Sequence, residues 1–433
     1  NGIDVVKTDK NGHYELPLSD TGFVFVIKPR GWMTPVDEDN LPVFYYRIGR
    51  HTPTAPDFPL HPQKEPDQFK IILTSDTQVT STEDVNFLAH DIAEELIGTD
   101  AVFGVTLGDI VFDKPHLFEP LAKVMGTIGI PWYYVQGNHD QGEPTFESVF
   151  GPAYYAFDYG PVHFIVLRNF QPLKSDSQLY GRQLEFLKND LDTASKNQLV
   201  VLMTHVPSTE MTNREELFRL IESYPNILAL AGHSHTQEHK FLTEADGWNG
   251  QKPLHQLLCG TASGVWWTGA PDELGIPHST MWDGTPNGYM VVSFNGIKYS
   301  MRYKVARRPD DFQMHIYCPD EINAADAEKT EVTVNVFAGS ERSKVEMRID
   351  GGTWTPMEKF KGKDPYYVLM CKAQDGPNPP SGKKLYGAAN CVHLWKSSLP
   401  RSLTAGTHVI HVRTTDMFGQ TYTDCRIIRV VSQ

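Results

Sequence analysis

The 433-residue chain lacks several features that would each point to a particular class of protein. It has no apolar run near the roughly 18–20 residues that a membrane-spanning helix needs, so no transmembrane segment is expected. It has no Cys-X-X-Cys pair, which argues against a small structural zinc site. It also lacks an excess of positive charge, since the formal net charge is -14. Because nucleic-acid polymers bind to basic patches, we expect no such polymer as a partner.

Cysteine is scarce, with 5 residues in the whole chain. Four of them lie in the last third of the chain: Cys318, Cys371, Cys391 and Cys425. They form disulfides if the protein is exported, or they are free buried thiols, and the sequence leaves both alternatives open. The chain starts at Asn1, inside a pattern of strands and turns, so we expect that a signal sequence has been removed. The expected location is therefore secreted, periplasmic or at the cell surface. No oligomer is predicted.

Strand and helix patterns divide the chain into three regions. Residues 1–60 contain short strand patterns, the first two around an Asp-Lys-Asn-Gly turn that is typical of a hairpin. Residues 61–310 alternate strands with helical patterns, which indicates a layered α/β domain. Residues 311–433 return to short strands separated by turns, the pattern of a β-sandwich. A proline-rich stretch at 50–68 is interpreted as a linker.

Five short blocks of polar residues carry the functional signal. They are SDTQ at 75–78, GDIVFD at 108–113, GNHD at 137–140, THVP at 204–207 and GHSH at 232–235. Most of them directly follow an apolar run that reads as a buried strand, and the carboxyl ends of parallel strands converge on one crevice. The residues gathered there are Asp76, Gln78, Asp109, Asn138, His139, His205, His233 and His235. That set is too large for one metal ion and suits two.

In this order, the five blocks resemble the motifs of the calcineurin-like metallophosphoesterase superfamily. The resemblance covers about residues 69–305. It implies a four-layer α/β/β/α core at 61–310, flanked by β-sandwich domains at 1–60 and 311–433. The first flank looks like a transthyretin- or Cna-B-like sandwich that is missing its first strand. The implied activity is hydrolysis of a phosphoester or pyrophosphate bond in a small molecule, by direct attack of a metal-bridging hydroxide.

The resemblance also implies a role for each residue of the blocks. The residues assigned to the first metal are Asp76, Gln78, Asp109 and His235. The residues assigned to the second metal are Asp109, Asn138, His205 and His233. Asp109 therefore bridges both ions, and His139 is the general acid that protonates the leaving oxygen. The two flanking regions are expected to contribute no metal ligand.

Gln78 departs from the family pattern, which usually has His at this position. An amide oxygen is a harder donor than an imidazole nitrogen, so the first site should shift toward Mn, Fe or Mg and away from Zn. The implied cofactors are two divalent or trivalent ions of manganese, iron or zinc, and their identity stays open. Because the same centre serves monoesterases, diesterases and pyrophosphatases, the substrate stays open as well.

Two acidic residues of the blocks are candidates for a supporting layer around the ligands. Asp113 either orients His139 or caps the next turn, and Asp140 is a second candidate. His163 lies in a strand pattern without a companion block, so we interpret it as structural.

The connection at 261–289 is long, irregular and rich in Gly, Pro and Trp, which is typical of a functional loop. Its candidate substrate-binding residues are Trp266, Trp267, Trp282, Asp283, Asn287 and Tyr289. The aromatic rings would stack on a sugar or a base. Alternatively, they attach the C-terminal sandwich to the catalytic domain. Arg168 and Asn169 follow another strand pattern, and Arg168 is a candidate bidentate donor to phosphate.

The alternative to a hydrolase is a binding protein. In that reading the protein is a catalytically weak or inactive surface protein whose β-sandwich domains recognise a glycan or a partner. The complete set of ligand residues speaks against this reading, while Gln78 leaves room for it.

Overall fold

The computed structural model describes residues 1–17, 22–49, 56–170, 177–401 and 403–432. Residues 50–55, the first part of the predicted linker, lie outside these ranges. The chain divides into two compact units. The first consists of Asn1–Ser234, Lys240–Cys259 and Val291–Ser300. The second consists of His235–His239, Gly260–Met290 and Met301–Gln433. None of the helices in the described ranges has the length and apolar content that crossing a lipid bilayer requires.

The N-terminal region contributes two small antiparallel sheets. Its strands are β1 (Phe23–Phe25), β2 (Trp32–Met33), β3 (Tyr45–Arg47) and β4 (His61–Pro62). β1 pairs with β3, and β2 pairs with β4. Buried Lys28 ties the region to the core, because its Nζ lies 2.5 Å from the Glu65 carboxylate and 2.7 Å from Asp158 O.

The hairpin predicted near the N-terminus is wrong. Its turn does form, since Asp9 N donates to His13 O at 2.8 Å. Within the described residues, however, no strand precedes β1. Most side chains around this turn are exposed, so the alternating pattern has no buried face against which a hairpin would pack.

Two sheets form the α/β core. The strands are β5 (Gln68–Thr74), β6 (Phe103–Thr106), β7 (Trp132–Tyr134), β8 (Tyr155–Tyr159), β9 (Val162–Val166), β10 (Leu199–Met203), β11 (Ile227–Ala231), β12 (Glu238–Leu242), β13 (Leu254–Leu258), β14 (Gly288–Asn295) and β15 (Lys298–Val305). One sheet has the order β15-β14-β5-β6-β7, and the other has the order β12-β13-β11-β10-β9-β8. Their central strands are parallel, and the residues of β9 and β10 are buried on both faces.

The core is layered. The ring of Phe103 on β6 lies 5.4 Å from that of Phe157 on β8 and 5.3 Å from that of Phe164 on β9, so the two sheets pack on each other. The helices are α1 (Thr82–Leu88), α2 (Glu94–Leu96), α3 (Phe118–Gly126), α4 (Phe146–Phe150), α5 (Gly181–Thr193) and α6 (Arg214–Ile221). The longest, α5, buries one face through Phe186 and Leu187. The α/β fold class expected from the sequence is confirmed.

The C-terminal region is formed mostly by two further sheets. Its strands are β16 (Met314–Tyr317), β17 (Glu321–Asn323), β18 (Glu331–Val336), β19 (Lys344–Ile349), β20 (Thr355–Pro356), β21 (Glu358–Gly362), β22 (Cys391–Ser398), β23 (Gly406–Thr415) and β24 (Thr421–Val431). One sheet has the order β16-β18-β22-β21, and the other has the order β17-β24-β23-β19-β20. Val334, Trp395 and Ile410 belong to one apolar cluster that draws on both sheets.

Helix α7 (Pro365–Gln374) follows β21 and was not expected from the sequence. Asp364 caps its first turn by accepting from Tyr367 N at 2.6 Å, and Pro365 occupies the first helical position. All five cysteines of the chain are free thiols in the structure, so the disulfides that the sequence left open are not formed.

Candidate metal centre

The polar blocks of the first unit begin where parallel strands end. Thr74 and Thr106 are paired at the ends of β5 and β6, and Met203 pairs with Leu230 near the ends of β10 and β11. The residues that follow are the predicted ligands, and buried strands hold their main chain in place.

Asp109, His205 and His233 form the centre of this arrangement. Their ligand atoms all lie within 4.8 Å of one another. Asp109 Oδ2 lies 3.2 Å from His205 Nε2, and His205 Nε2 lies 3.2 Å from His233 Nδ1. Gln78 joins them, because its Nε2 donates to Asp109 Oδ2 at 2.8 Å. Four residues that are far apart in sequence are thus brought to one point.

Unpaired oxygen atoms at this point suit a cation. Gln78 Oε1 and Asn138 Oδ1 are buried, and within the described part of the chain neither has a hydrogen-bond partner. A buried oxygen without a donor costs free energy unless something else satisfies it. Carboxylate, amide and imidazole donors are a set that transition-metal ions accept, so the residues present fit the metal ions that the sequence predicts.

The backbone at the ligands is unusual. Positive φ angles occur at Asp76 (47°), Gln78 (35°), Asp109 (48°), His233 (74°) and His235 (49°). A residue other than glycine rarely adopts such an angle, which costs of order 1–3 kcal/mol and persists only where the surroundings fix it. Conformations of this kind cluster at functional sites, and five of the predicted ligand residues adopt them.

Two glycines allow the loops to approach one another. A Cβ atom on Gly137 would lie 2.0 Å from Asp109 N, and one on Gly232 would lie 2.0 Å from Ser75 Oγ. Any larger residue would push the loops apart. The Gly in GNHD and the Gly in GHSH therefore serve close packing next to the ligands.

Hydrogen bonds outside the cluster fix the ligand side chains. His205 Nδ1 is 2.8 Å from Leu107 O, which leaves Nε2 directed at Asp109. His233 N donates to Asp76 Oδ2 at 2.9 Å. Burial alone would raise the pKa of Asp109, but the charge of His205 lowers this pKa to about 2. Burial alone would lower the pKa of His205, but the charge of Asp109 raises this pKa to about 10.

His139, the predicted general acid, is partly exposed beside this cluster. Its main-chain N donates to Asp109 Oδ1 at 2.8 Å, and its ring stacks on Phe112 with centroids 4.2 Å apart. Asp113 Oδ1 lies 3.2 Å from His139 Nδ1, so the carboxylate is placed to orient the ring. Nε2 is then the ring nitrogen available for proton transfer.

Asp140 is fully buried and binds two loops together. Its carboxylate accepts from Val111 N at 3.0 Å and from Gly137 N at 2.8 Å. Burial, and then the nearby charge of Asp109, raise its pKa well above the ordinary value. Asp140 thus holds the GDIVFD and GNHD blocks in register without facing solvent.

His235 belongs to the second unit. Its Nδ1 lies 2.6 Å from Gly264 O, and this hydrogen bond fixes the orientation of the ring. The rings of Trp266 and Trp282 lie 5.4 and 5.6 Å from its imidazole, and Trp266 also contacts Tyr386 at 4.7 Å. Tyr386 belongs to none of the motifs, so its contact with Trp266 could not be predicted from the sequence.

The structure separates the predicted substrate residues of the 261–289 connection. Trp266 and Trp282 are partly exposed. Trp267 has no exposed surface and Tyr289 is 4% exposed, so neither offers a ring face for stacking. Asp283 and Asn287 are also buried, and Asn287 Nδ2 donates to Ala262 O at 3.0 Å. Burial therefore argues against direct substrate contact for these four.

Arg168 and Asn169 are engaged elsewhere in the first unit. Arg168 faces Glu147, with 3.5 Å between Nη1 and Oε1, and its guanidinium lies over the Tyr180 ring. Asn169 is fully buried and uses its whole amide on Val206, donating to Val206 O at 2.6 Å and accepting from Val206 N at 3.1 Å. It holds the residue after His205, and such a role cannot be read from the sequence.

Three models of one family match consecutive parts of the chain. The N-terminal model of calcineurin-like phosphoesterases matches residues 1–63, the calcineurin-like phosphoesterase model matches 69–237, and the C-terminal model matches 257–422. This chain belongs to the calcineurin-like phosphoesterase family. The resemblance drawn from the five blocks is confirmed, including its N-terminal and C-terminal extensions.

The individual relatives share little sequence identity with this chain. A probable cyclic nucleotide phosphodiesterase of Synechococcus sp. is 27% identical over 143 residues, which are 30% of this chain and 55% of the relative. The chain thus spans about half the length of this curated relative. Purple acid phosphatase PPD1 of yellow lupin aligns over 64% of each chain with 12% identity and a TM-score of 0.40. Vps29 of Chaetomium thermophilum aligns over 83% of this chain and 98% of its own, with 8% identity and a TM-score of 0.22.

Proposed function

We propose that the protein hydrolyses a phosphoester or pyrophosphate bond in a small molecule with the help of two metal ions. The observation that carries this proposal is the cluster of Asp109, His205 and His233, with the buried oxygen of Gln78 beside it and the buried oxygen of Asn138 in the adjoining GNHD block. Two bound ions would supply an activated water for direct attack on phosphorus and would neutralise charge on the phosphate oxygens.

The residues of the chain divide the remaining work. Asp109 has one oxygen toward His205 and the other toward the main chain of His139, a geometry that suits a carboxylate shared by two sites. His139 is proposed to donate a proton to the leaving oxygen from Nε2, with Asp113 and Phe112 fixing the ring. Asp76 and His235 would complete the first metal, as the family pattern assigns.

The substrate is proposed to carry a ring on its leaving group. Support comes from Trp266 and Trp282, two partly exposed aromatic residues whose rings contact the imidazole of His235. Stacking on such rings is favourable for any base or sugar and adds binding energy away from the reacting phosphorus. An exported location is also part of the proposal, and fractionation of cells that produce the protein tests it.

Replacement of Asp109 tests the activity. Metal content is measured by mass spectrometry in Asp109→Ala and Asp109→Asn, and turnover is measured on a phosphomonoester, a phosphodiester and a nucleoside diphosphate with Mn²⁺, Fe²⁺ or Zn²⁺. We expect both variants to lose metal and all activity. Asp100→Asn, which breaks an exposed pair with Lys70, is the control and should keep both. Near-native turnover of Asp109→Ala with added Mn²⁺ would show that the two-metal proposal is wrong.

A further inference from the structure

The segment that carries His235 is held from within the second unit. Gln237, two residues further along, donates its main-chain N–H to Asp283 Oδ2 at 2.9 Å. Its side-chain Oε1 accepts from Gly260 N at 2.6 Å. Together with the hydrogen bond between His235 and Gly264, these contacts fix both ends of the stretch from His235 to Gln237.

Asp283 is itself fixed by its surroundings. It is 1% exposed, and its Oδ1 accepts from Thr285 N at 2.9 Å. Its Oδ2, the atom that receives Gln237 N, lies 3.2 Å from His393 Nε2 on strand β22. A buried carboxylate needs such partners, because an unpaired charge in the interior is costly.

Asn335 and His393 extend this network into the C-terminal sheets. His393 Nδ1 lies 2.8 Å from Asn335 Oδ1, so both ring nitrogens face acceptors, as in a protonated imidazole. Asn335 Nδ2 donates to Asp283 O and to Asp364 Oδ2, each at 3.1 Å. Burial opposes the charge on His393, but the hydrogen bond and the charge of Asp283 raise its pKa well above the ordinary value.

The order Cys391, His393, Asp283 also invites comparison with a nucleophile, base and acid. Cys391 Sγ does lie 3.3 Å from His393 Nδ1. However, Cys391 is 1% exposed, and burial raises the pKa of its thiol. A protonated thiol without access to solvent does not attack a substrate, so the arrangement holds a position and performs no chemistry.

We propose that Asp283, held by His393 and Asn335, is a positioning residue for the metal ligand His235. This inference rests on the proposed function, because it requires His235 to bind metal. It means that the C-terminal region, which contributes no predicted ligand, still sets the geometry of one. Partners that orient a ligand typically change metal affinity by about 10- to 100-fold when they are removed.

Titration of the metal-free protein with Mn²⁺ in a calorimeter tests the proposal. In Asp283→Asn, which keeps the side-chain shape, we expect one of the two Mn²⁺ affinities to fall about 10- to 100-fold while the other is unchanged. The matched control is Glu346→Gln, which breaks an ion pair with Arg413 in the same unit, 2.7 Å long, without touching the network. It should keep both affinities.

A purely structural role predicts something different. If Asp283→Asn lowers the melting temperature but leaves both Mn²⁺ affinities at wild-type values, the proposal is overturned. His393→Gln, which can still donate to Asp283, serves if Asp283→Asn does not fold, and it should weaken the same single site to a smaller extent. A wild-type protein that binds two ions but hydrolyses no ester would overturn the proposed activity alone, because the Mn²⁺ readout does not depend on turnover.

Discussion

Asp113 Oδ1 lies 3.2 Å from Nδ1 of His139, and the imidazole between this carboxylate and the ring of Phe112 has one nitrogen left for proton transfer. If His139 is the general acid, the rate acceleration that it provides is larger for a poorer leaving group. His139→Ala should slow an alkyl phosphate by roughly 10²–10⁴-fold and p-nitrophenyl phosphate much less, because p-nitrophenolate leaves without a proton. Asp113→Asn should show the same selectivity to a smaller extent.

Steady-state kcat values on this pair of esters measure the effect. Equal slowing of the alkyl and the aryl ester in His139→Ala would rule out the acid role. The metal content of both variants is measured in parallel, since neither residue is a predicted ligand.

Trp266 and Trp267 are adjacent in sequence, but their replacement by alanine should have different effects. Trp266 is partly exposed and contacts His235, so Trp266→Ala should raise KM for a ring-bearing substrate and spare a small generic ester. Loss of one stacked aromatic is worth roughly 1–3 kcal/mol by analogy with base stacking. Trp267 is fully buried, so Trp267→Ala should lower the free energy of unfolding by about 3–5 kcal/mol. If Trp266→Ala affects both substrates equally, the stacking role fails.

His163 should make stability depend on alkaline pH. It is buried between Asp158 and Asp190, at 2.7 and 2.8 Å, and although burial opposes it, these carboxylates raise its pKa to about 10. Because the folded pKa exceeds the unfolded value, its contribution is full below about pH 6.5 and is lost as pH rises through about 10.

Urea unfolding of the wild type and of His163→Asn between pH 6 and 10.5 checks this expectation. The variant should be less stable by about 3–5 kcal/mol near pH 7, because removal of one partner leaves buried charge behind. The difference between the two proteins should shrink toward pH 10. A gap that stays constant across this range would contradict the raised pKa.

Gln78 should determine which metal the first site prefers. Its Oε1 is buried without a hydrogen-bond partner in the described part of the chain, and an amide oxygen favours harder ions than an imidazole does. Gln78→His should therefore raise the ratio of zinc to manganese bound when both are offered in equal amounts. Mass spectrometry after dialysis measures this ratio, with Gln136→His, a buried residue outside the predicted ligands, as the control. An unchanged ratio in Gln78→His would mean that this residue does not bind metal.

The cluster was predictable because each ligand stands in a short block at the end of a strand. His205 and His233 follow neighbouring parallel strands of one sheet, as the rule for strand ends predicts. Asp109 follows a strand of the sheet packed against it, and the structure brings all three within 4.8 Å of one another. The α/β core follows from strong alternation of apolar runs and amphipathic helices such as α5. In both cases, local sequence carries the information.

The accessibility of a predicted side chain depends on burial, which local sequence does not report. Trp266 and Trp267 have the same chemistry, yet only one is accessible. Asp283 reads as a polar loop residue, but a histidine from a distant strand covers it. Helix α7 had a readable signal in the capping Asp364 followed by proline, and it was missed because strand patterns dominate its surroundings.

The side chain of Asn169 has a consequence for the redesign of this protein. Both ends of its amide form hydrogen bonds with the main chain of Val206. The residue next to His205 is therefore held by a residue that follows a neighbouring strand, and that strand supplies no predicted ligand. A library that varied residue 169 to change substrate preference would at the same time remove the two hydrogen bonds that hold Val206, the residue after His205. Variants with changed specificity would then also lose metal, so directed evolution of the candidate metal centre should leave residue 169 unchanged.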